Sequence, residues 1–116
     1  LRAARVIVDI GMHLELAIPR GEAFHPGETW SHDLAVEFII RETGINEEMV
    51  RSEVLRYLGW PAQAISYKVG ERHWLAARDE AKRRDGASFD LKRFHTEALA
   101  LGPMGLDQLR RELAAR

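Results

Sequence analysis

Residues 60–70 read Trp-Pro-Ala-Gln-Ala-Ile-Ser-Tyr-Lys-Val-Gly, and this stretch organises the fold that the sequence predicts. Pro61 suits the first turn of a helix, because the backbone donor that proline lacks has no intrahelical partner there. We therefore expect a helix from Pro61 to about Arg84. Side chains three or four residues apart share one face of such a helix. Here they are Gln63, Tyr67, Gly70 and Trp74.

That face combines an amide, a phenol, a residue without a side chain and an indole, so it is neither a plain apolar stripe nor a plain solvated one. Its small neighbours would let another helix or a ligand approach the backbone closely. Periodicity alone favours a tightly packed helix in which Gln63 and Tyr67 bind each other or a neighbour. A surface that faces a ligand is the alternative.

The composition is typical of one globular domain. A chain of 116 residues can bury a modest core, and we expect a single helical domain over residues 1–116. The net charge of −1 gives no reason to expect nucleic acid or an acidic membrane surface as a partner. The absence of cysteine excludes disulfides and thiolate metal sites.

The sequence also carries hints about its context. No apolar run approaches the length of a membrane span and no signal-peptide pattern is present, which favours a cytoplasmic location. The chain starts in the middle of an amphipathic pattern, without an initiator methionine or a helix cap. We therefore expect a C-terminal fragment of a longer protein.

Helix signals recur along the whole chain and predict an all-α fold. We expect about six helices in an irregular bundle, with a long loop after the first helix. Side chains of the types found at helix N-termini precede three of the helices, and a glycine ends the second. The predicted caps are Ser31, Asn46 and Asp90, and the glycine is Gly44.

Apolar side chains at helical spacing predict the buried faces. Ile7, Ile10 and Leu14 form the apolar line of the first helix, which spans residues 1 to about 14. Gly11 in the same helix costs roughly 1 kcal/mol relative to alanine, which indicates close packing at that point. In the third helix the predicted core residues are Val50, Val54, Leu55 and Leu58.

A polar line accompanies the apolar one on the first helix. Arg5, Asp9 and His13 are four residues apart, so they share a second face. An aspartate one turn before a histidine can orient the imidazole and favour its charged form. A surface ion pair worth a few tenths of a kcal/mol is the simpler interpretation.

Residues 15–30 contain the strongest breakers in the chain and predict a long loop. An alternating pattern near residues 14–18 is the only hint of a strand. His25 lies in this loop, between His13 and His32, but no pair of histidines has a recognised metal-ligand spacing. We expect a solvent-exposed loop without a metal site.

Three stretches carry a resemblance to a known family. Residues 5–13 fit an arginine followed by Asp-x-Gly-x-His, and residues 53–70 fit a second motif that ends in Pro-x-Gln-Ala-x-Ser-Tyr-Lys-x-Gly. A third stretch combines Phe-Asp-Leu-x-x-Phe-His at 89–95 with Gly-Pro-Met-x-Leu at 102–106. Together they resemble the bacterial domain of unknown function numbered 885. Its members are similar to zinc metallopeptidases of the thimet oligopeptidase and carboxypeptidase Taq type.

The resemblance implies a place for this chain within a longer enzyme. Family members carry their metal-binding His-Glu helix before the Asp-x-Gly-x-His motif, and no such helix occurs here. The chain would then be a C-terminal helical subdomain that lines a peptide cleft beside a zinc site and supplies no metal ligand. We expect the fragment alone to be inactive, with zinc required only by the full-length parent.

The resemblance also implies roles for single residues. In such a cleft Tyr67 and His13 would donate hydrogen bonds to the tetrahedral oxyanion, and Asp9 would orient His13. The substrate-binding candidates are Gln63, Arg5 and Lys68.

A non-catalytic packing or oligomerisation module is the alternative function. Its partners would be the missing N-terminal part of the same protein, or a second copy bound through exposed apolar faces. The peptidase hypothesis adds a peptide substrate in the parent. The balanced charge argues against a helix-turn-helix nucleic-acid binder, and neither hypothesis involves a membrane.

Overall fold

The computed structural model describes residues 1–116 and confirms the all-α fold. It contains six α-helices, a short 3₁₀ turn at Gly86–Ser88 and no strand. None of these helices is long and apolar enough to cross a membrane. The helices are α1 (Arg2–His13), α2 (His32–Thr43), α3 (Glu47–Gly59), α4 (Ser66–Asp85), α5 (Leu91–Ala100) and α6 (Leu106–Ala114).

The chain divides into two compact units, Leu1–Lys68 and Val69–Arg116, each with a hydrophobic core of its own. In the N-terminal unit, α1, α2 and α3 pack on one another. In the C-terminal unit the core contains Ala77, Ala81, Phe94, Ala98 and Leu113. The core of the N-terminal unit contains Ala4, Val8, Met12, Ala35, Val36, Ile39, Val50, Val54, Tyr57 and Ala64.

The predicted caps are confirmed. The side chains of Ser31, Asn46 and Asp90 accept backbone N–H bonds of 3.3, 2.9 and 2.6 Å in the first turns of α2, α3 and α5. Gly44 closes α2 in the left-handed conformation, with φ of 66°. These local signals were readable because each involves side chain and backbone within four residues.

The predicted core line of α1 is wrong. Ile7, Ile10 and Leu14 are all exposed, and Leu14 retains 65% of its accessible surface. The buried face consists of Ala4, Val8 and Met12, also four residues apart. These smaller side chains and Gly11 let α1 approach its neighbours closely, whereas the bulkier line points away from the core.

The core face of α3 also differs from the prediction. Val50 and Val54 are buried as expected, but Leu55 is 65% exposed and Leu58 is largely exposed as well. Tyr57 is 1% exposed and takes their place. The spacing of Val50, Val54 and Tyr57 defines one face, while Leu55 lies about 100° further round the helix.

The fourth helix begins at Ser66, not at Pro61. Ala62 has φ of 66°, a left-handed conformation that a helix cannot contain. Short turns replace the helix, with Gln63 N donating to Trp60 O at 3.3 Å and Ser66 N donating to Gln63 O at 3.1 Å. Gln63 therefore lies outside α4. The spacing predicted that Gln63 and Tyr67 share a helix face, and this prediction is wrong.

The loop at residues 15–30 has defined backbone structure. Ala17 and Thr29 form an isolated antiparallel bridge, and Ile18 N donates to Glu28 O at 2.7 Å. Phe24 is buried, and its ring lies 5.8 Å from that of Trp30 and 5.3 Å from that of Phe38 on α2. Aromatic packing of this kind stabilises the loop against the N-terminal unit.

His25 fixes the tip of the loop to α2. Its Nδ1 lies 2.9 Å from Glu28 Oε1, and its Nε2 lies 3.0 Å from Glu37 Oε1. The hydrogen bonds with Glu28 and Glu37 raise the pKa of His25, because both favour the imidazolium form. His25 also adopts a left-handed φ of 40°, which these contacts offset. The guanidinium of Arg41 lies over the neighbouring Phe24 ring, 5.7 Å from its centroid.

Gly11→Ala should destabilise the N-terminal unit even though alanine favours helices. A Cβ atom at Gly11 would lie 2.5 to 2.9 Å from ring atoms of Trp30. We expect a loss of about 1 to 3 kcal/mol in the free energy of unfolding, measured by urea denaturation. Gly70→Ala is the matched control, since its Cβ would meet nothing within 4 Å and it should gain about 1 kcal/mol. Equal shifts in both variants would contradict the close packing of Gly11.

The contribution of His25 to stability should fall as pH rises. Because the folded state raises the pKa of His25, the contribution is fully present below the unfolded pKa near 6.5 and is lost above the folded pKa. The unfolding free energies of wild type and His25→Gln, compared at pH 5.5 and pH 8.5, should therefore converge at the higher pH. A difference that stays constant would show that protonation of His25 does not hold the loop.

Candidate functional site

The polar line of α1 faces α3 and the turn at residues 60–65. Arg5 contacts Glu53 and Tyr57, two side chains of α3. One turn further on, Asp9 contacts the backbone of the turn. His13, one turn beyond Asp9, contacts the backbone of α3. The four-residue spacing therefore predicted the shared face correctly, and the face is a polar seam inside the N-terminal unit.

Glu53 is the centre of this seam. Its Oε2 accepts hydrogen bonds from Arg5 Nη2 at 2.5 Å, from Arg56 Nη2 at 2.8 Å and from the Tyr57 hydroxyl at 2.9 Å. Arg5 Nε donates in turn to the Tyr57 hydroxyl at 2.8 Å. Arg56 Nη1 donates a short hydrogen bond to Gln63 Oε1. Charge-assisted bonds of this kind are about twice as strong as neutral ones.

The protonation states in the seam follow from these contacts. Burial raises the pKa of Tyr57 to about 12, and the hydrogen bond with the Glu53 carboxylate acts in the same direction. Burial opposes the charge of Glu53, but the bonds from Arg56, Tyr57 and Arg5 outweigh it and lower the pKa of Glu53. Burial likewise opposes the charge of Arg5, yet its bond with Glu53 leaves the Arg5 pKa raised. Near neutral pH the seam therefore holds an ionised carboxylate, two cations and a neutral phenol.

Asp9 is 2% exposed and is the only charged side chain in the core. Its Oδ2 accepts a hydrogen bond from Ala62 N at 3.1 Å. Its Oδ1 lies 3.5 Å from His13 Nε2, but this contact does not have hydrogen-bond geometry and Oδ1 has no other partner. The expected orientation of His13 by Asp9 is thus limited to a longer electrostatic contact.

His13 is held mainly by a carbonyl. Its Nε2 lies 3.0 Å from Tyr57 O, and a carbonyl can only accept, so Nε2 carries the hydrogen. In the neutral ring Nδ1 is then an acceptor. His13 can therefore donate to a ligand only as the protonated imidazolium. The donor role that the sequence suggested is limited to that form.

Tyr67 has the opposite environment to Tyr57. It lies in the first turn of α4 and is 60% exposed. The guanidinium groups of Arg2 and Arg5 lie 5.6 and 5.8 Å from the centroid of its ring. Such distances allow cation–π attraction, which stabilises the ring between two positive charges. Lys68 follows Tyr67 and is also exposed.

The structure brings the sequence-predicted residues together to different degrees. Arg5 contacts Tyr67 directly, and Gln63 joins the seam through Arg56. His13 and Tyr67 lie at separate points of the seam and are linked only indirectly, through Tyr57 and Arg5.

Sequence reasoning gave no role to Glu53, Arg56 and Tyr57, the residues that organise the seam. Their spacing on α3 does allow Glu53 to pair with Arg56 and Tyr57, three and four residues away. The partner on α1 is 48 residues from Glu53 along the chain, so no local pattern could identify it.

The chain's own residues do not form a zinc site. No group of three histidine, aspartate or glutamate side chains is placed to hold a metal ion. Three or four such ligands are needed for zinc when cysteine is absent.

Comparison with family models identifies a family for this chain. The family model described as "Bacterial protein of unknown function (DUF885)" matches residues 1–113. A search of the curated proteins found no match.

Replacing the two tyrosines with phenylalanine should separate their roles. Tyr57→Phe removes a hydroxyl that binds two charged partners in a buried site, so we expect a loss of about 1.5 to 3 kcal/mol in unfolding free energy. Tyr67→Phe is the matched control and should change stability by less than about 0.5 kcal/mol, because its side chain is exposed. Chemical denaturation of both variants tests this, and equal losses would contradict the assignment of Tyr57 to the seam.

Proposed function

We propose a function that rests on both the family and the geometry. The chain belongs to the DUF885 family of bacterial proteins. In our proposal it is the C-terminal helical subdomain of a zinc-dependent peptidase. It would line the substrate cleft, and Tyr67 would donate a hydrogen bond to the tetrahedral transition state. The metallopeptidase part of this proposal comes from the sequence resemblance alone.

The environment of Tyr67 is the observation that carries the donor role. A neutral phenol can donate to an oxyanion, and donors fixed before the reaction stabilise that charge most effectively. Tyr67 combines an exposed side chain with two guanidinium groups beside its ring. Arg5 is itself held by Glu53 and Tyr57, so its charge stays in place. Positive charge near the phenol favours negative charge on a bound substrate.

Tyr57 is excluded as the alternative donor. Its hydroxyl already donates to Glu53 and its side chain is buried, so a substrate cannot reach it. The two tyrosines thus divide between a fixed structural group and an accessible one.

Other residues have supporting roles in this proposal. Gln63 Oε1 accepts from Arg56, which leaves the amide nitrogen to donate to a peptide carbonyl. A protonated His13 would be a second donor through Nδ1, and its Nε2 lies 3.5 Å from Asp9 Oδ1. Arg5 and Lys68 provide positive charge for a peptide carboxylate. Zinc belongs to the longer protein, so these roles use only this chain's side chains.

A packing or oligomerisation function is the second candidate, and it has an observation of its own. Ile7, Ile10 and Leu14 form a continuous exposed line on α1. Exposed apolar patches of this type are typical of protein–protein contacts. The N-terminal part of the parent or a second copy could cover the line, and either contact is compatible with a cleft at Tyr67.

Tyr67→Phe in the full-length zinc-loaded parent tests the donor role. Loss of one oxyanion donor should reduce kcat for peptide hydrolysis about 100-fold or more, with little change in KM, because the bond forms only in the transition state. Leu99→Ala is the control, since Leu99 is an exposed apolar residue of α5 outside the proposed site. An unchanged kcat in Tyr67→Phe would overturn the donor role and favour the packing function.

A further inference from the structure

We infer that Asp9 positions Tyr67 by holding the turn at residues 60–65, and that it does so independently of His13. The inference deepens the proposed function, because it assigns a positioning residue to the proposed donor. It depends on contacts that all lie within the N-terminal unit.

The Asp9 carboxylate is buried. A buried charge is costly unless hydrogen bonds compensate for it, and Asp9 is 2% exposed. The hydrogen bond that Asp9 accepts comes from Ala62 N, 53 residues away along the chain. An ionised acceptor strengthens such a bond, so the turn gains a strong anchor to the middle of α1.

The backbone of the turn is strained at Ala62. Ala62 adopts a left-handed φ of 66°, a conformation that is unfavourable for a residue with a Cβ atom. The backbone bonds of the turn join Gln63 N to Trp60 O at 3.3 Å and Ser66 N to Gln63 O at 3.1 Å, and neither involves Ala62 N. Ala62 N donates to Asp9 instead, so this bond and the burial of Ala64 stabilise the turn from outside.

Ser66 connects the turn to Tyr67. Ser66 begins α4, and both its backbone N and its Oγ donate to Gln63 O, at 3.1 and 2.7 Å. Tyr67 is the next residue, so the direction in which it leaves the turn follows from the position of Gln63. The contact between Tyr67 and Arg5 therefore depends on the conformation that Asp9 holds.

The two oxygens of Asp9 allow its contact with the turn to be tested separately from its contact with His13. Oδ2 binds the turn, whereas Oδ1 faces His13 at 3.5 Å without a hydrogen bond. Asp9→Asn keeps an oxygen acceptor for Ala62 N and removes the negative charge near His13. Asp9→Ala removes both, and His13→Gln removes only the imidazole.

The experiment is NMR spectroscopy of the chain and its variants, without substrate. It measures hydrogen exchange of the Ala62 amide and the nuclear Overhauser effects between the Tyr67 ring and the Arg5 side chain. In Asp9→Ala we expect exchange at Ala62 to accelerate about tenfold, as for loss of one hydrogen bond, and the Tyr67–Arg5 signals to disappear. Asp9→Asn and His13→Gln should keep both signals. Adding Ala62→Gly to Asp9→Ala should restore the Tyr67–Arg5 signals in part, since glycine tolerates the left-handed conformation.

Two outcomes would overturn the inference. The first is an unchanged Tyr67–Arg5 contact in Asp9→Ala. The second is loss of that contact in both Asp9→Asn and His13→Gln, which would assign the effect to the charge contact with His13. If Asp9→Ala alone does not fold, the double variant Asp9→Ala/Ala62→Gly decides the question. Its residue-62 amide should exchange faster than in Ala62→Gly alone, and equal exchange in the two would overturn the inference. Because no substrate is used, a normal kcat in Tyr67→Phe would remove the proposed donor role and leave the positioning result intact.

Discussion

The convergence of three donors on one oxygen of Glu53 is the interaction on which the N-terminal unit depends. Arg5 reaches this oxygen from α1, while Arg56 and Tyr57 reach it from α3. A half-buried carboxylate with three hydrogen bonds stays ionised, and each donor loses one hydrogen bond if the carboxylate is removed. The seam adds directional contacts between α1 and α3 to the apolar packing of Ala4, Val8, Val50 and Val54.

The seam contains buried groups with structural contacts, and exposed polar residues lie next to it. Glu53 and Tyr57 lie within the seam, where burial and hydrogen bonds set the direction of their pKa shifts. Tyr67 and Lys68 extend from the first turn of α4 into solvent. The fixed guanidinium of Arg5 contacts both sides, since it binds Glu53 and lies over the Tyr67 ring. A rigid inner layer that holds an exposed polar group is the arrangement that preorganised sites require.

Much of the helical architecture could be predicted because helix signals are local. Ser31, Asn46, Asp90 and Gly44 act within a few residues of themselves, and each was identified correctly. The apolar lines were harder, because Ile7 and Val8 both lie on helical stripes and the choice between them depends on packing with distant residues, such as Trp30 against Gly11. The start of α4 was misplaced since Pro61 permits a helix, while Asp9 holds Ala62 in a different conformation from a distance of 53 residues. Arg5 could not be identified as a partner of Glu53 for the same reason, because 48 residues separate them along the chain.

The connection between α1 and α2 has a consequence for the order of folding. Several of its stabilising contacts lie within residues 11–41: Leu16 N binds Gly11 O, Ile18 N binds Glu28 O, and His25 binds Glu37. Loop closure over such short separations costs little entropy, and short-range contacts form quickly. By contrast, Arg5 must find Glu53 across 48 residues and Asp9 must find Ala62 across 53. The aromatic loop and α2 would thus assemble first during synthesis, and the polar seam would close only after the ribosome has released residues beyond 62.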